Sequence, residues 1–113
     1  MKRLLLIVLP LLLIVGCSES KDNSKKTIQD LVEYFDSNGI KGQKSETMYK
    51  IIGAIDGTKL KGAGYSMELY KFDGEIPANP LFNYKNGSFV CYINPETTSS
   101  DIKDKILKLF DKF

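Results

Sequence analysis

Apolar positions in this chain fall first into one unbroken run and then into periodic segments, and each pattern predicts a different element. Leu4 through Val15 is apolar, interrupted by Pro10; it follows Lys2 and Arg3 and closes on Gly16-Cys17. A membrane span needs about 20 apolar residues, so this run is too short for an ordinary span. A positive start, a short apolar core and a small residue at the cut have the form of a secretory leader. No polar residue divides the run into two faces, as it would in a helix packed on a soluble domain. Ser18 to Lys26 (SESKDNSKK) then contains no apolar residue and reads as a flexible tether. The expected organisation is a removed leader over 1–16, a cysteine and tether over 17–26, and one domain over 27–113.

Within that domain, Ile28, Leu31, Val32 and Phe35 recur at helical spacing behind Thr27 and Asp30, which are placed as a capping box. Asn38-Gly39 supplies a left-handed stop. Ile40 to Gln43 has the character of a brief strand. Met48, Ile51, Ile52 and Ile55 match a short helix over Ser45–Ile55, although Gly53 opposes it and Met48 to Ile52 also suits a strand. Thr58–Lys61 and Tyr65–Phe72 read as strands flanking a three-residue loop, Gly62-Ala63-Gly64. Pro77 and Pro80 predict irregular chain from Gly74 to Tyr84, and Asn86-Gly87 introduces a strand over Ser88–Ile93. A last helix begins near Thr98 to Ser100 and lines up Ile102, Ile106, Leu109, Phe110 and Phe113. Lys103, Lys105, Lys108 and Lys112 fall mainly on its other side. These elements predict an α+β domain, a small antiparallel sheet of about four strands packed against two or three helices.

The four residues that end the leader, Ile14-Val15-Gly16-Cys17, resemble the lipobox of bacterial lipoproteins: an aliphatic residue, a small or β-branched one, a small one, then cysteine. The resemblance covers residues 1–17. It implies cleavage between Gly16 and Cys17, diacylglycerol on the Cys17 sulfur and N-acylation of the new terminus. It also implies an extracytoplasmic location on the plasma membrane of a Gram-positive host. In a Gram-negative host it implies the outer membrane, because Ser18 is not the aspartate that marks retention. Residues Ile51 to Asp73 (IIGAIDGTKLKGAGYSMELYKFD) are also similar to small uncharacterised lipoproteins of low-GC Gram-positive bacteria and their phages.

That assignment leaves Cys91 without an intrachain partner, since Cys17 is the other of two cysteines. Alternation places Cys91 on one face with Phe89 and Ile93, where a free cysteine acts as a small apolar residue. Charge changes the picture only slightly. Lys2 and Arg3 hold two of the sixteen basic residues, the leader holds none of the fourteen acidic ones, and the remainder is balanced. A nucleic-acid partner is not expected from such a chain. Beyond the leader its cations are all lysines, without arginine's planar fork for phosphate.

The chain has no histidine. The usual general base, the Ser-His-Asp and Cys-His systems and most zinc or copper sites are therefore ruled out. Gly62-Ala63-Gly64 lacks the third glycine of a dinucleotide loop, because Met67 stands in its place. Asp56 and Asp73, each before a glycine, lack the further oxygens of a calcium loop. No cofactor or metal is expected. The aromatic residues Tyr65, Tyr70, Phe72, Phe82 and Tyr84 are the candidate binding surface, set against their use as core. The leading expectation is a non-enzymatic binding module fastened to membrane lipid, with an unidentified protein or envelope partner and an open oligomeric state. The alternatives are an envelope-maintenance or phage-exclusion lipoprotein that occupies a receptor or channel, and a small enzyme with carboxylate or Ser-Lys chemistry.

Overall fold

The computed structural model describes residues 23–113. The leader, the lipobox and Cys17 lie outside the described residues. Elements follow in the order α1 (Ile28–Ser37), β1 (Gln43–Ser45), β2 (Asp56–Gly62), β3 (Tyr65–Lys71), β4 (Tyr84–Asn86), β5 (Phe89–Ile93) and α2 (Ser100–Asp111). This is an α+β fold in which one five-stranded antiparallel sheet, in the order β1-β2-β3-β5-β4, is packed by two helices.

The helix α1 forms where the capping box predicts it. The Asp30 N–H donates to Thr27 Oγ1 at 3.0 Å, and the Thr27 N–H donates to Asp30 Oδ2 at 2.8 Å. Two of the four orphan N–H groups of the first turn are satisfied this way. Ile28, Leu31 and Phe35 are buried beneath it. In α2, Ile106 and Phe110 are buried, and Phe113 just past its end joins the same core. Tyr34 of α1 donates to the Leu109 carbonyl of α2 at 2.5 Å and lies 5.3 Å from the Phe113 ring, so the helices brace one another on one face of the sheet.

Alternation then divides the sheet into two cores. Leu60, Tyr65, Met67, Leu69, Phe89, Cys91 and Ile93 point toward the helices. Tyr70 and Val90, shifted by one position, point the other way and pack with Phe72, Phe82 and Ala54. A sheet buried on both faces explains why β3 is almost entirely buried along its length.

Four expectations change. The segment Ser45–Ile55 holds no helix: Ser45 ends β1 and residues 49–53 are turns, held by Ile51 N–H to the Met48 carbonyl at 3.2 Å and Gly53 N–H to the Lys50 carbonyl at 3.1 Å. Gly53 sits at φ +87°, which ends any helical path. The hairpin loop has two residues, because pairing extends to Gly62 opposite Tyr65. The sheet has five strands where about four were expected. The fifth is Tyr84–Asn86, whose three residues are too few to show a period and which the neighbouring prolines masked. Finally, the fold takes in residues expected to be tether. Asn23 is buried, and its side chain bridges the β4–β5 turn.

Candidate functional site

The five aromatic residues read as a binding surface do not form one. Tyr65, Tyr70, Phe72 and Phe82 are buried. Tyr84 is half-buried against the first core, with the Lys103 ammonium 5.8 Å from its ring centroid. Strand alternation is the physical reason: Tyr65 and Tyr70 are five positions apart and so lie on opposite faces of β3. Phe72 meets Phe82 edge-on at 5.4 Å, sealing the second core. The Tyr70 hydroxyl bonds Glu68 and lies 3.1 Å from Thr47 Oγ1. Burial, reinforced by the Glu68 bond, pushes its pKa up to about 12.

The apolar surface that does face water comes from elsewhere. Met48 and Ile51 are 76% exposed, Ile55 is 53% exposed and Leu81 is 50% exposed. Met48, Ile51 and Leu81 line one shallow groove of about 410 Å³ with Ile52, and the polar groups of Glu68, Lys59 and Tyr70 edge it. An adjoining groove of about 390 Å³ continues along Met48, Tyr49 and Ile51 to Gly57. The turn geometry produces this arrangement. Ala54 is buried in the second core with Tyr49 and Ile52 packed against it, while Met48, Ile51 and Ile55 are left outward. Full removal of a Met, Ile or Leu side chain from water is worth about 1.5–3 kcal/mol, so a surface that covers this cluster gains substantially. Spacing at 48, 51, 52 and 55 matches a short helix; the turns instead leave Met48, Ile51 and Ile55 outward with Ile52 packed against the second core, and no periodic signal nominates Leu81.

Chemistry of other kinds is sparse. Among the described residues, no group of three or more His, Cys, Asp or Glu side chains is placed to hold a metal ion. Cys91 is free and buried, its thiol 3.8 Å from Met67 Sδ, and burial pushes its pKa up to about 12. At neutral pH it is neither a thiolate nor accessible. We expect maleimide to modify the Cys91 peptide about a thousandfold more slowly in the native protein than in denaturant, because reaction waits on global opening. Digestion and mass spectrometry measure this, and fast native labelling would contradict the burial.

The first described residues are tied to the domain by several hydrogen bonds. Asn23 Nδ2 donates to the Asn86 carbonyl at 3.0 Å, and the Ser88 N–H donates to Asn23 Oδ1 at 3.1 Å. Gly87 makes the close approach possible: at φ +61°, an added Cβ would lie 2.1 Å from Asn23 Oδ1. Lys71 Nζ donates to the carbonyls of Ser24 and Lys26 at 2.7 and 2.5 Å. Lys26 Nζ donates to the Phe113 carbonyl at 2.5 Å and sits 4.4 Å from that residue's ring centroid. Asn86 in turn donates to the Phe110 carbonyl in the last turn of α2 at 2.8 Å, an oxygen that also accepts from the Phe113 N–H at 3.2 Å. Sequence reading missed this because its key residues are short polar ones brought together from distant positions.

Among the described residues, no helix is long and apolar enough to cross a membrane. In comparisons with family models, curated proteins and solved structures, the chain matched none.

Proposed function

We propose that this chain is a lipid-anchored, extracytoplasmic protein whose folded domain acts by binding and not by catalysis. The observation that carries the reading is Ile14-Val15-Gly16-Cys17 at the end of a short positive-then-apolar leader. Chemically, two or more acyl chains on Cys17 hold a protein to a bilayer, since each buried methylene contributes about 0.8 kcal/mol and a single chain binds only reversibly. The domain adds a groove built from Met48, Ile51 and Leu81, the surface on which binding would occur. The host decides whether the membrane is a plasma membrane or an outer membrane.

The test is the single-atom exchange Cys17→Ser. Loss of both acylation and cleavage is expected, and with them loss of the mature protein from sedimented membranes. Mass spectrometry of the amino-terminal peptide reads the modification, and sedimentation with vesicles reads the attachment. A Cys17→Ser chain that is still cut after Gly16 and still pellets with membranes would sink the reading. An unchanged urea-unfolding midpoint for Cys17→Ser separates a loss of attachment from a folding defect.

A further inference from the structure

Among the described residues, Ile55 and the turns that carry Met48 and Ile51 adjoin the end of the sheet where Asn23 is held, and Leu81 shares a groove with Met48 and Ile51 on the face away from the helices. We propose that this end is seated on the lipid bilayer, with Met48, Ile51, Ile55 and Leu81 dipping into the boundary between headgroups and acyl chains. This rests on the lipid-anchor reading and gives it an orientation and an occupant for the apolar groove.

The placement follows from strand register. β2 begins at Asp56, opposite Lys71 at the finish of β3, and Lys71 lies opposite Phe89 at the start of β5. These three strand ends define one end of the sheet. The Ile55 N–H donates to the Lys71 carbonyl at 2.8 Å, which fixes the apolar turns there. The Lys71 ammonium reaches the Ser24 carbonyl at 2.7 Å, and Ser88 holds Asn23, which fixes the chain entry there too. A depression shared by Ile28, Gln29, Glu46 and Asp56 sets the first turn of α1 beside the same turns. The opposite end carries Gly39, Ala63 and Ile102, grouped around their own depression.

Chain length then selects the occupant. Six Cα steps separate Cys17 from Asn23, and even fully extended they cover at most about 20 Å. Because Asn23 belongs to the fold, the reach from Cys17 to the domain is shorter than the run of polar residues suggests. A lipid-bearing Cys17 therefore keeps Asn23 within about 20 Å of the headgroups. The bilayer is the one apolar phase brought within reach of Met48, Ile51, Ile55 and Leu81 by the covalent chain itself, at high effective concentration. Charge does not contribute, since Glu46 and Asp56 stand beside Lys44 and Lys50 around these grooves and leave no basic face. Insertion of apolar side chains to a depth of about 5–10 Å is the mode that remains.

The experiment uses the full chain, produced in bacteria and reconstituted into vesicles of phosphatidylethanolamine and phosphatidylglycerol with brominated acyl chains. An environment-sensitive fluorophore is placed at Ile51→Cys or, at the far end, at Ala63→Cys. Both positions are exposed, so neither exchange disturbs the core, and Cys91 is buried. The label at 51 is expected to lose about half its emission to bromine, and the label at 63 about a tenth or less. Mass spectrometry of the amino-terminal peptide accompanies each sample. Acylated Cys17 with an unquenched label at 51 overturns the seating and leaves the anchor standing. Equal quenching at both positions overturns it as well. Unmodified Cys17 overturns the anchor and the seating together. A label at 51 that is shielded from water but untouched by bromine means that a protein, a second copy included, covers the groove, and this also refutes bilayer seating.

Discussion

Phe89→Ala is expected to leave much of the domain unfolded at 37 °C. Phe89 is fully buried in the first core at the start of β5, where the sheet meets both its neighbours, with Lys71 opposite on β3 and Asn86 opposite on β4. Its ring meets Phe113 edge-on at 5.1 Å and 84°. Truncation removes the transfer free energy of the ring and leaves a void that strands tied on both sides cannot close. Such changes cost about 3–5 kcal/mol. A domain of this size has about 0.05–0.15 kcal/mol of stability per residue, so the loss consumes a large part of the total. Urea unfolding followed by circular dichroism should show the midpoint falling by about 2 M or more, with the slope unchanged. Ile51→Ala is the control, and its stability should change by less than about 0.5 kcal/mol because the side chain stands in water. Equal effects at the two positions would refute the division into core and surface drawn here.

Asn86→Asp is expected to be nearly as damaging at neutral pH, for an electrostatic reason. The Asn86 amide is buried and donates to the Phe110 carbonyl at 2.8 Å, with the Asp111 carbonyl at 3.4 Å. A carboxylate of the same shape has no proton to donate. It would set a negative charge against two carbonyl oxygens at the negative end of α2. The cost is about 3 kcal/mol or more, that of a buried charge without a partner. Its pH dependence identifies the cause. Desolvation and the carbonyls raise the folded-state pKa of the new carboxyl above its unfolded value near 3.9. Relative stability is therefore retained below that unfolded value and lost as pH rises through the folded one. The difference in urea midpoint between Asn86→Asp and the parent protein should shrink toward pH 4 and grow toward pH 7. A difference that does not vary with pH would mean the amide's role is packing alone.

Local signals made much of this fold legible. The capping box at Thr27 and Asp30 and the stripe Ile28, Leu31, Phe35 specify α1 because cap and stripe depend only on neighbours within a few turns. The alternation of Phe89, Cys91 and Ile93 assigns Cys91 to a core by the same local logic. Reading failed where a pattern serves two structures. Met48, Ile51 and Ile55 keep helical spacing by coincidence, and Gly53 at φ +87° breaks the path that spacing assumes. The aromatic residues of β3 and its neighbours were read as one patch, although parity along the strand sends Tyr65 to one core and Tyr70 to the other.

The residue inventory bounds the chemistry of this protein: no histidine, two cysteines, and the run Ile14-Val15-Gly16-Cys17 on which the proposed anchor rests. Those are properties of composition and of contiguous motifs, and folding cannot alter them. Which apolar side chains meet water, and where Asn23 and Ser24 join the domain, are relations between distant segments. Asn23 is paired with Ser88 and Lys71 with Ser24, while Met48, Ile51 and Leu81 share one groove, because the strands cross in a particular register. Burial is a collective outcome of that packing, which no local periodicity encodes.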